Sequence, residues 1–222
     1  MNGKLSGKIV LVTGASKGIG QGLAKGVAAA GARVAVNYKT DAEGANATCR
    51  VIRESGGEAD VFQADVGSKS EFEGLVDSVC ERFGRLDVLV NNAGRTRFGP
   101  MFEVSEEDFD DVMNTNLRGP FFGTLATARK MLEQGGGSII NVSSCAVSLI
   151  VQYHSVYTAI KGGLESLTRH LAVELGPKIR VNAISPGPTS TERNRGYDPD
   201  YDKKWGAIIP GGRVAYVEDY VG

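Results

Sequence analysis

The stretch YTAIK, residues 157–161, sets a phenol four residues ahead of an ammonium. On a helix that spacing puts both groups on one face, so Lys161 can hold its charge near the Tyr157 hydroxyl. A cation favours phenolate, but bringing a tyrosine from a pKa of about 10 to neutrality takes ~4 kcal/mol of differential stabilisation. One exposed ion pair falls short of that, and a desolvated cleft with a second positive charge has to contribute the rest. Another hydroxyl, Ser144, directly follows the apolar run SIINVS (138–143). A proton donor and a hydrogen-bond donor meeting at one point suit a carbonyl oxygen that acquires negative charge. A nucleophilic role for Ser144 is rejected, because no G-x-S-x-G surrounds it and only His154 and His170 are present as imidazole bases.

The elements that must position these groups are short β-branched runs separated by helical patterns. IVLVT (9–13), RVAVNY (33–38), ADVFQ (59–63), LDVLVN (86–91), SIINVS (138–143) and IRVNAI (179–184) predict six strands. Thr40 with Glu43, Ser68 with Glu71 and Ser105 with Asp108 have capping-box spacing and predict helix starts between them. Continuous apolar strands joined by helices specify an α/β fold, a three-layer, doubly wound parallel sheet covered on both faces. Such sheets bind ligands beyond the carboxyl ends of the strands, where Ser144 lies and where Tyr157, on the next helix, can meet it. Residues 1–222 read as a single domain. The polar, Pro- and Gly-punctuated stretch RNRGYDPDYDKKWG (193–206) predicts a mobile loop, a substrate lid near 188–210.

The first strand runs into TGASKGIG (13–20), whose Gly14, Gly18 and Gly20 let backbone approach a diphosphate at the start of the following helix. The spacing is G-x-x-x-G-x-G and not the general dinucleotide fingerprint G-x-G-x-x-G. An acid about 20 residues further on would bind a ribose 2′-hydroxyl, yet Asn37-Tyr38-Lys39 stands there. Lys39, with Lys17 in the glycine loop, would attract a 2′-phosphate, which favours NADP(H) over NAD(H).

Composition excludes other classes. Twenty-five Lys and Arg against 26 Asp and Glu give a formal net charge of -1, no footprint for nucleic acid or an anionic membrane. Cys49, Cys80 and Cys145 lack C-x-x-C spacing, which argues against a disulfide framework or structural zinc and for a reducing, cytoplasmic setting. His154 has no second ligand at useful spacing, so no metal is expected. Neither a signal-peptide core nor a run of ~20 apolar residues is present.

TGASKGIG, Asp65-Val66, NNAG (91–94), NTN (114–116), NVSS (141–144), YTAIK and SPG (185–187) follow one another in that order. At these residues, and from about Leu5 to Gly212, the sequence resembles the short-chain dehydrogenase/reductase family, in the branch of 3-oxoacyl carrier-protein reductases and glucose-type sugar dehydrogenases. The resemblance implies a Rossmann-like fold and a nicotinamide cofactor. It makes Tyr157 the acid/base, Lys161 its activator and a binder of nicotinamide-ribose hydroxyls, Ser144 the partner of the substrate oxygen, and Asn116 the fourth catalytic member, holding a water near Lys161. By the same matching, Gly14, Gly18, Ile19 and Gly20 line the diphosphate, and Ser16 and Lys17 of the same loop are expected to bind the cofactor as well. Asn37, Tyr38 and Lys39 face the adenosine ribose, Asp65 and Val66 meet adenine, and Asn91, Ala93 and Gly94 border the adenosine side. Pro186 and Gly187 close over the nicotinamide, with Thr189 and Thr191 completing that loop.

The chain departs from the family pattern in two places. Ile160 stands where many members carry a serine, and the family continues beyond the position of Gly222 through a helix and a final strand. An incomplete C-terminal sheet edge is therefore expected. A homodimer through residues about 100–130 and 155–175 is a safer expectation than a homotetramer. For the small-molecule substrate, Arg95 and Arg97 would favour an anionic ligand such as an acyl chain on a phosphorylated carrier, whereas Gln152 and His154 would bind sugar hydroxyls. Val147 and Trp205 are expected on the same side. The first reading is reduction of a 3-oxoacyl thioester or similar ketone, and the second is oxidation of a sugar or polyol. A third, of another class, is a non-catalytic dinucleotide-sensing module.

Overall fold

A computed structural model describes residues 3–221. The six apolar runs form strands β1 (Ile9–Val12), β2 (Arg33–Tyr38), β3 (Glu58–Gln63), β4 (Val88–Asn91), β5 (Gly137–Val142) and β6 (Ile179–Ile184). They make one parallel sheet in the order β3-β2-β1-β4-β5-β6. Strand order reverses between β1 and β4, where Val10 pairs with Val34 on one side and Val88 on the other. A crevice beyond the carboxyl ends follows from that reversal.

Helices α1 (Gly18–Ala29) and α2 (Ala42–Glu54) cover one face, and α3 (Lys69–Phe83), α5 (Gly119–Glu133) and α6 (Ser155–Leu175) cover the other. The short α4 (Glu106–Met113) precedes α5. Alternation along β1 shows how one strand serves both layers. Ile9 and Leu11 pack with Phe72, Leu89, Met131 and Ile139, while Val10 and Val12 pack with Ala24, Val36, Cys49 and Ile52. All four β1 residues are fully buried, as a sheet covered on both faces requires.

Three local expectations change. Asp41, not Thr40, caps α2 by accepting from the Gly44 N–H at 3.0 Å, because a carboxylate is the stronger acceptor and Lys17 lies 3.7 Å from it. Ser68 and Ser105 do cap α3 and α4, but Glu71 reaches the Asp65 N–H (2.8 Å) and so ties the end of β3 to α3. The lid segment is also not structureless: it contains α7 (Glu192–Tyr197) and α8 (Tyr201–Gly206), and a bridge joins Thr189 to Ala215. Both helices are too short to show a period in sequence.

Among the described residues β6 pairs with β5 alone, and its Arg180, Asn182 and Ala183 are exposed. After the lid the chain returns to α1. Val217 and Val221 press so closely on Gly22 and Gly26 that a Cβ at either glycine would overlap them. Among the described residues, no helix is long and apolar enough to cross a membrane.

Candidate active site

A cavity of about 1170 Å³ lies over the carboxyl ends of the strands. Its floor is the glycine loop, which the sequence builds from hydrogen bonds. The Asn37 side chain accepts from the Gly14 N–H (3.2 Å) and donates to the carbonyls of Phe62 and Ala64, both at 3.2 Å, so it braces the loop against β3. The Thr13 hydroxyl accepts from the N–H groups of Asn92 and Ala93, both at 3.0 Å, while the Asn92 amide donates to the carbonyls of Thr13 and Gly14. Gly14 (φ 61°) and Gly18 (φ 57°) adopt left-handed backbone that other residues resist. Helix α1 then starts with no side-chain cap, leaving its first N–H groups and the positive end of its dipole to the cavity. This cradle fits a dinucleotide diphosphate, with Ser16, Lys17, Ile19 and Gly20 in its wall.

Gly20→Ala tests the cradle. A Cβ there would collide with the Asn92 amide and the Gly14 carbonyl, so urea denaturation should show a loss of about 1–3 kcal/mol, with weakened dinucleotide binding. Unchanged stability and affinity would mean that the loop is not packed this way.

At the adenosine end, Tyr38, Lys39, Asp65 and Val66 line the wall. The two lysines expected to stand free for a 2′-phosphate are each beside a carboxylate: Lys39 is 2.6 Å from Asp65, and Lys17 is 3.7 Å from Asp41. Burial alone would raise the Asp65 carboxyl, but the Lys39 ammonium and the Gly67 N–H (2.9 Å) outweigh it and hold Asp65 below its ordinary value. Asn91 requires a correction. Its side chain is buried in the sheet, donates to Asn141 at 2.9 Å and is not part of the cavity wall; Asn92, Ala93 and Gly94 are. The end of β4 turns at that point, so successive residues face different ways.

At the other end Ser144, Tyr157 and Lys161 line the same cavity. Ser144 follows β5 and accepts from the Ala146 N–H (3.2 Å), while Tyr157 and Lys161 occupy the first two turns of α6. Burial pushes the Tyr157 phenol above its ordinary pKa, and the Ser144 hydroxyl and Arg193 guanidinium pull the other way. Lys161 is 3% exposed and donates to the Val142 carbonyl at 2.6 Å, and burial brings its pKa down to about 8. Its ammonium is 5.8 Å from the Tyr157 ring centre. The expected lowering of the phenol by this lysine is thus not what opposes burial here, because the ammonium is turned to a backbone carbonyl.

Asn116 is fully buried in a π-helical turn (Asn114–Arg118) between α4 and α5. Both ends of its amide bond the Arg95 backbone, accepting from its N–H and donating to its carbonyl at 2.8 Å each. The side chain therefore clamps the Arg95 backbone and is not part of the cavity wall. It reaches the site through Gly94, where a Cβ would lie 3.5 Å from the Asn116 oxygen and 4.0 Å from the Lys161 ammonium.

Pro186, Gly187, Thr189 and Thr191 close one side. The Pro186 carbonyl accepts from the Cys145 N–H (3.0 Å), Thr189 donates to the Gly187 carbonyl (2.8 Å), and Thr191 caps α7 above Gly18. Glu165, which sequence reasoning missed, accepts from Ser143 (2.8 Å) and Ser185 (2.9 Å) and so ties the ends of β5 and β6. Its place four residues after Lys161, on the same helix face, was the available signal. Ile160 is buried, so this position of α6 faces the interior, where an apolar side chain is at home.

On the open side Arg95 and Arg97 are committed to acids, Asp111 at 3.2 Å and Asp108 at 2.7 Å. An aromatic chain runs from Tyr157 to His154 (6.3 Å between ring centres), on to Phe98 (4.4 Å) and then to Tyr197 (5.2 Å).

The site has known counterparts. A family model described as short chain dehydrogenase matches residues 8–202. D-threitol dehydrogenase of Mycolicibacterium smegmatis is 38% identical over 218 residues, 97% of this chain and 84% of that protein. A short-chain dehydrogenase from Burkholderia cenocepacia, solved in complex with NADP, is 36% identical with a TM-score of 0.91, covering 97% of this chain and 88% of that one. An actinorhodin polyketide ketoreductase with NADPH is 37% identical at a TM-score of 0.90, covering 96% and 86%. The chain belongs to the short-chain dehydrogenase family and is an oxidoreductase.

Proposed function

We propose that this oxidoreductase transfers hydride between NADP(H) and a ketone or secondary alcohol, with a 3-oxoacyl thioester or similar ketone as the compound reduced. One observation carries the reading: Ser144, Tyr157 and Lys161 meet at one end of a cavity whose other end is the glycine cradle. The cofactor supplies or accepts the hydride. In reduction, Ser144 hydrogen-bonds the carbonyl oxygen, and Tyr157 gives its phenolic proton to that oxygen as charge develops. The phenolate regains a proton from solvent, and the Lys161 ammonium, held here by the Val142 carbonyl, would stabilise it in the interval by turning toward the phenol. Burial of Tyr157 favours the protonated phenol, the form a reductase needs at neutral pH.

Exposed apolar side chains at the mouth, Leu149, Ile150 and Ile208, support a ketone with an apolar body. Sugar or polyol oxidation is the second reading, supported by the D-threitol dehydrogenase relative. NADP(H) preference rests on Lys17 and Lys39, which an incoming 2′-phosphate would draw from Asp41 and Asp65. A homodimer through α4, α5 and α6 accompanies this reading, supported by exposed Phe109 and Phe121 on those helices.

Nicotinamide absorbance followed with ketone and polyol panels, beside NADPH and NADH titrations, tests these assignments together. Ketone turnover is expected, with NADPH bound about tenfold more tightly than NADH and the difference erased by Lys39→Ala. Equal affinities would remove the NADP preference alone. Cofactor binding without turnover of either panel would replace the enzyme with a dinucleotide-sensing module.

A further inference from the structure

We propose that Arg193 is a specificity-determining residue that pairs with a carboxylate on the substrate, so that the preferred ketone or alcohol is an apolar molecule bearing one such group. The inference rests on the oxidoreductase reading of the cavity and names the substrate class that reading leaves open. Arg193 lies in the first turn of α7 and lines the cavity. Its guanidinium reaches across to donate to the Gly94 carbonyl at 3.3 Å, a single long bond to a neutral acceptor. A Cβ added to Gly94 would lie 4.0 Å from the Lys161 ammonium, so this charge sits toward the reacting end of the cavity.

The other cations of the cavity are already engaged. Arg95, Lys17 and Lys39 each lie within ion-pair distance of an acid, and Lys161 is bonded to a backbone carbonyl. Arg193 makes no ion pair among the described residues. Of the lid carboxylates, Asp198 pairs with Lys204 at 2.7 Å and one oxygen of Asp202 accepts from the Ser190 hydroxyl at 2.6 Å, while exposed Glu192 and Asp200 form no ion pair with Arg193. Arg193 is exposed at the rim of the cavity, and a guanidinium there without an ion-pair partner can take an anion, its planar fork fitting a carboxylate with two parallel bonds. A cofactor diphosphate would find its own partners at the glycine loop and the uncapped start of α1. A single free cation also suits a monoanion better than a phosphate dianion.

The lid adds the apolar half of the recognition. Tyr197, four residues after Arg193 and also in the cavity wall, stacks edge-on against Phe98 at 5.2 Å between ring centres. Helix α7 therefore offers a cation and an aromatic ring from one face, which matches a flat or chain-like apolar body with a terminal carboxylate.

The test is binding to the NADP⁺-loaded protein, read by the fluorescence of Trp205, the one tryptophan of the chain and part of the cavity wall. The probes are 2-naphthoate and its neutral counterpart 2-naphthamide. Naphthoate should bind about tenfold more tightly than naphthamide. Arg193→Gln should bring the two within about twofold without changing naphthamide affinity, and Arg193→Lys should restore part of the gap. The same naphthoate-to-naphthamide ratio in the wild type and Arg193→Gln would overturn the proposal. So would an Arg193→Gln loss of NADP⁺ affinity by that factor, which would assign the guanidinium to the cofactor. Turnover is measured separately with 2-acetylnaphthalene and 6-acetyl-2-naphthoate. If neither reacts while the binding difference holds, the ketone-reduction reading fails for this substrate class and the carboxylate site stands.

Discussion

Tyr157→Phe should lower kcat for ketone reduction by about 10³-fold and leave the NADPH dissociation constant within about twofold. The variant keeps the ring and its packing beside His154 but removes the proton at the point where negative charge develops. Ser144 alone can then hydrogen-bond the oxygen without protonating it, so hydride transfer would have to produce a bare alkoxide. Direction and pH follow from the same group. Burial raises the phenol above its ordinary pKa, so it stays protonated through neutrality, and the reductive rate should be nearly flat up to about pH 8, above which loss of the Lys161 proton lowers it. Alcohol oxidation needs the phenolate and should rise with pH over that range. Steady-state rates in both directions, with NADPH affinity measured by fluorescence, check this. A variant retaining more than about a tenth of the wild-type kcat would move the proton donor elsewhere, and His154, 6.3 Å from the Tyr157 ring, would be examined first.

The sheet was legible because a strand buried on both faces has to be apolar throughout, and IVLV and its counterparts show that directly. The glycine loop was legible for a related reason: left-handed backbone at Gly14 and Gly18 narrows the choice of residue at those positions. Charges were the least legible, since an ion pair depends on which elements meet in space. Nothing local marks Asp65 as the partner of Lys39, 26 residues away in sequence, and yet the parallel pairing of β2 with β3 brings them together. The same holds for Arg95 and Arg97, whose partners Asp111 and Asp108 lie on α4. Asn37 was read by what it lacks, a carboxylate for a ribose, whereas its amide braces the glycine loop. Asn116 was expected to hold a water near Lys161, whereas a π-helical turn aims it at the Arg95 backbone. Arg193 went unnoticed because a polar stretch with no period gives no sign of which residue turns inward.

Lys161→Met should lower kcat by about 10²-fold and change how the cofactor-free protein responds to pH. The Lys161 pKa of about 8 lies below its unfolded value of 10.5, and burial is the cause. Between those values the unfolded chain holds the proton more tightly than the folded one, so folding releases it and stability rises with pH. Below about pH 8 both states are protonated and the whole cost of burying the ammonium is present; a shift of this size corresponds to about 3 kcal/mol. The hydrogen bond to the Val142 carbonyl offsets part of that cost, and methionine would lose both contributions. The sign of the stability change at neutral pH is therefore less informative than its slope. Measured by urea denaturation, the stability of the wild type relative to Lys161→Met should climb by about 1.4 kcal/mol per pH unit between pH 8 and 10. Parallel curves over that range would show that the lysine is solvated, and a solvated ammonium beside Tyr157 could not deliver the stabilisation of phenolate on which proton transfer at this site depends.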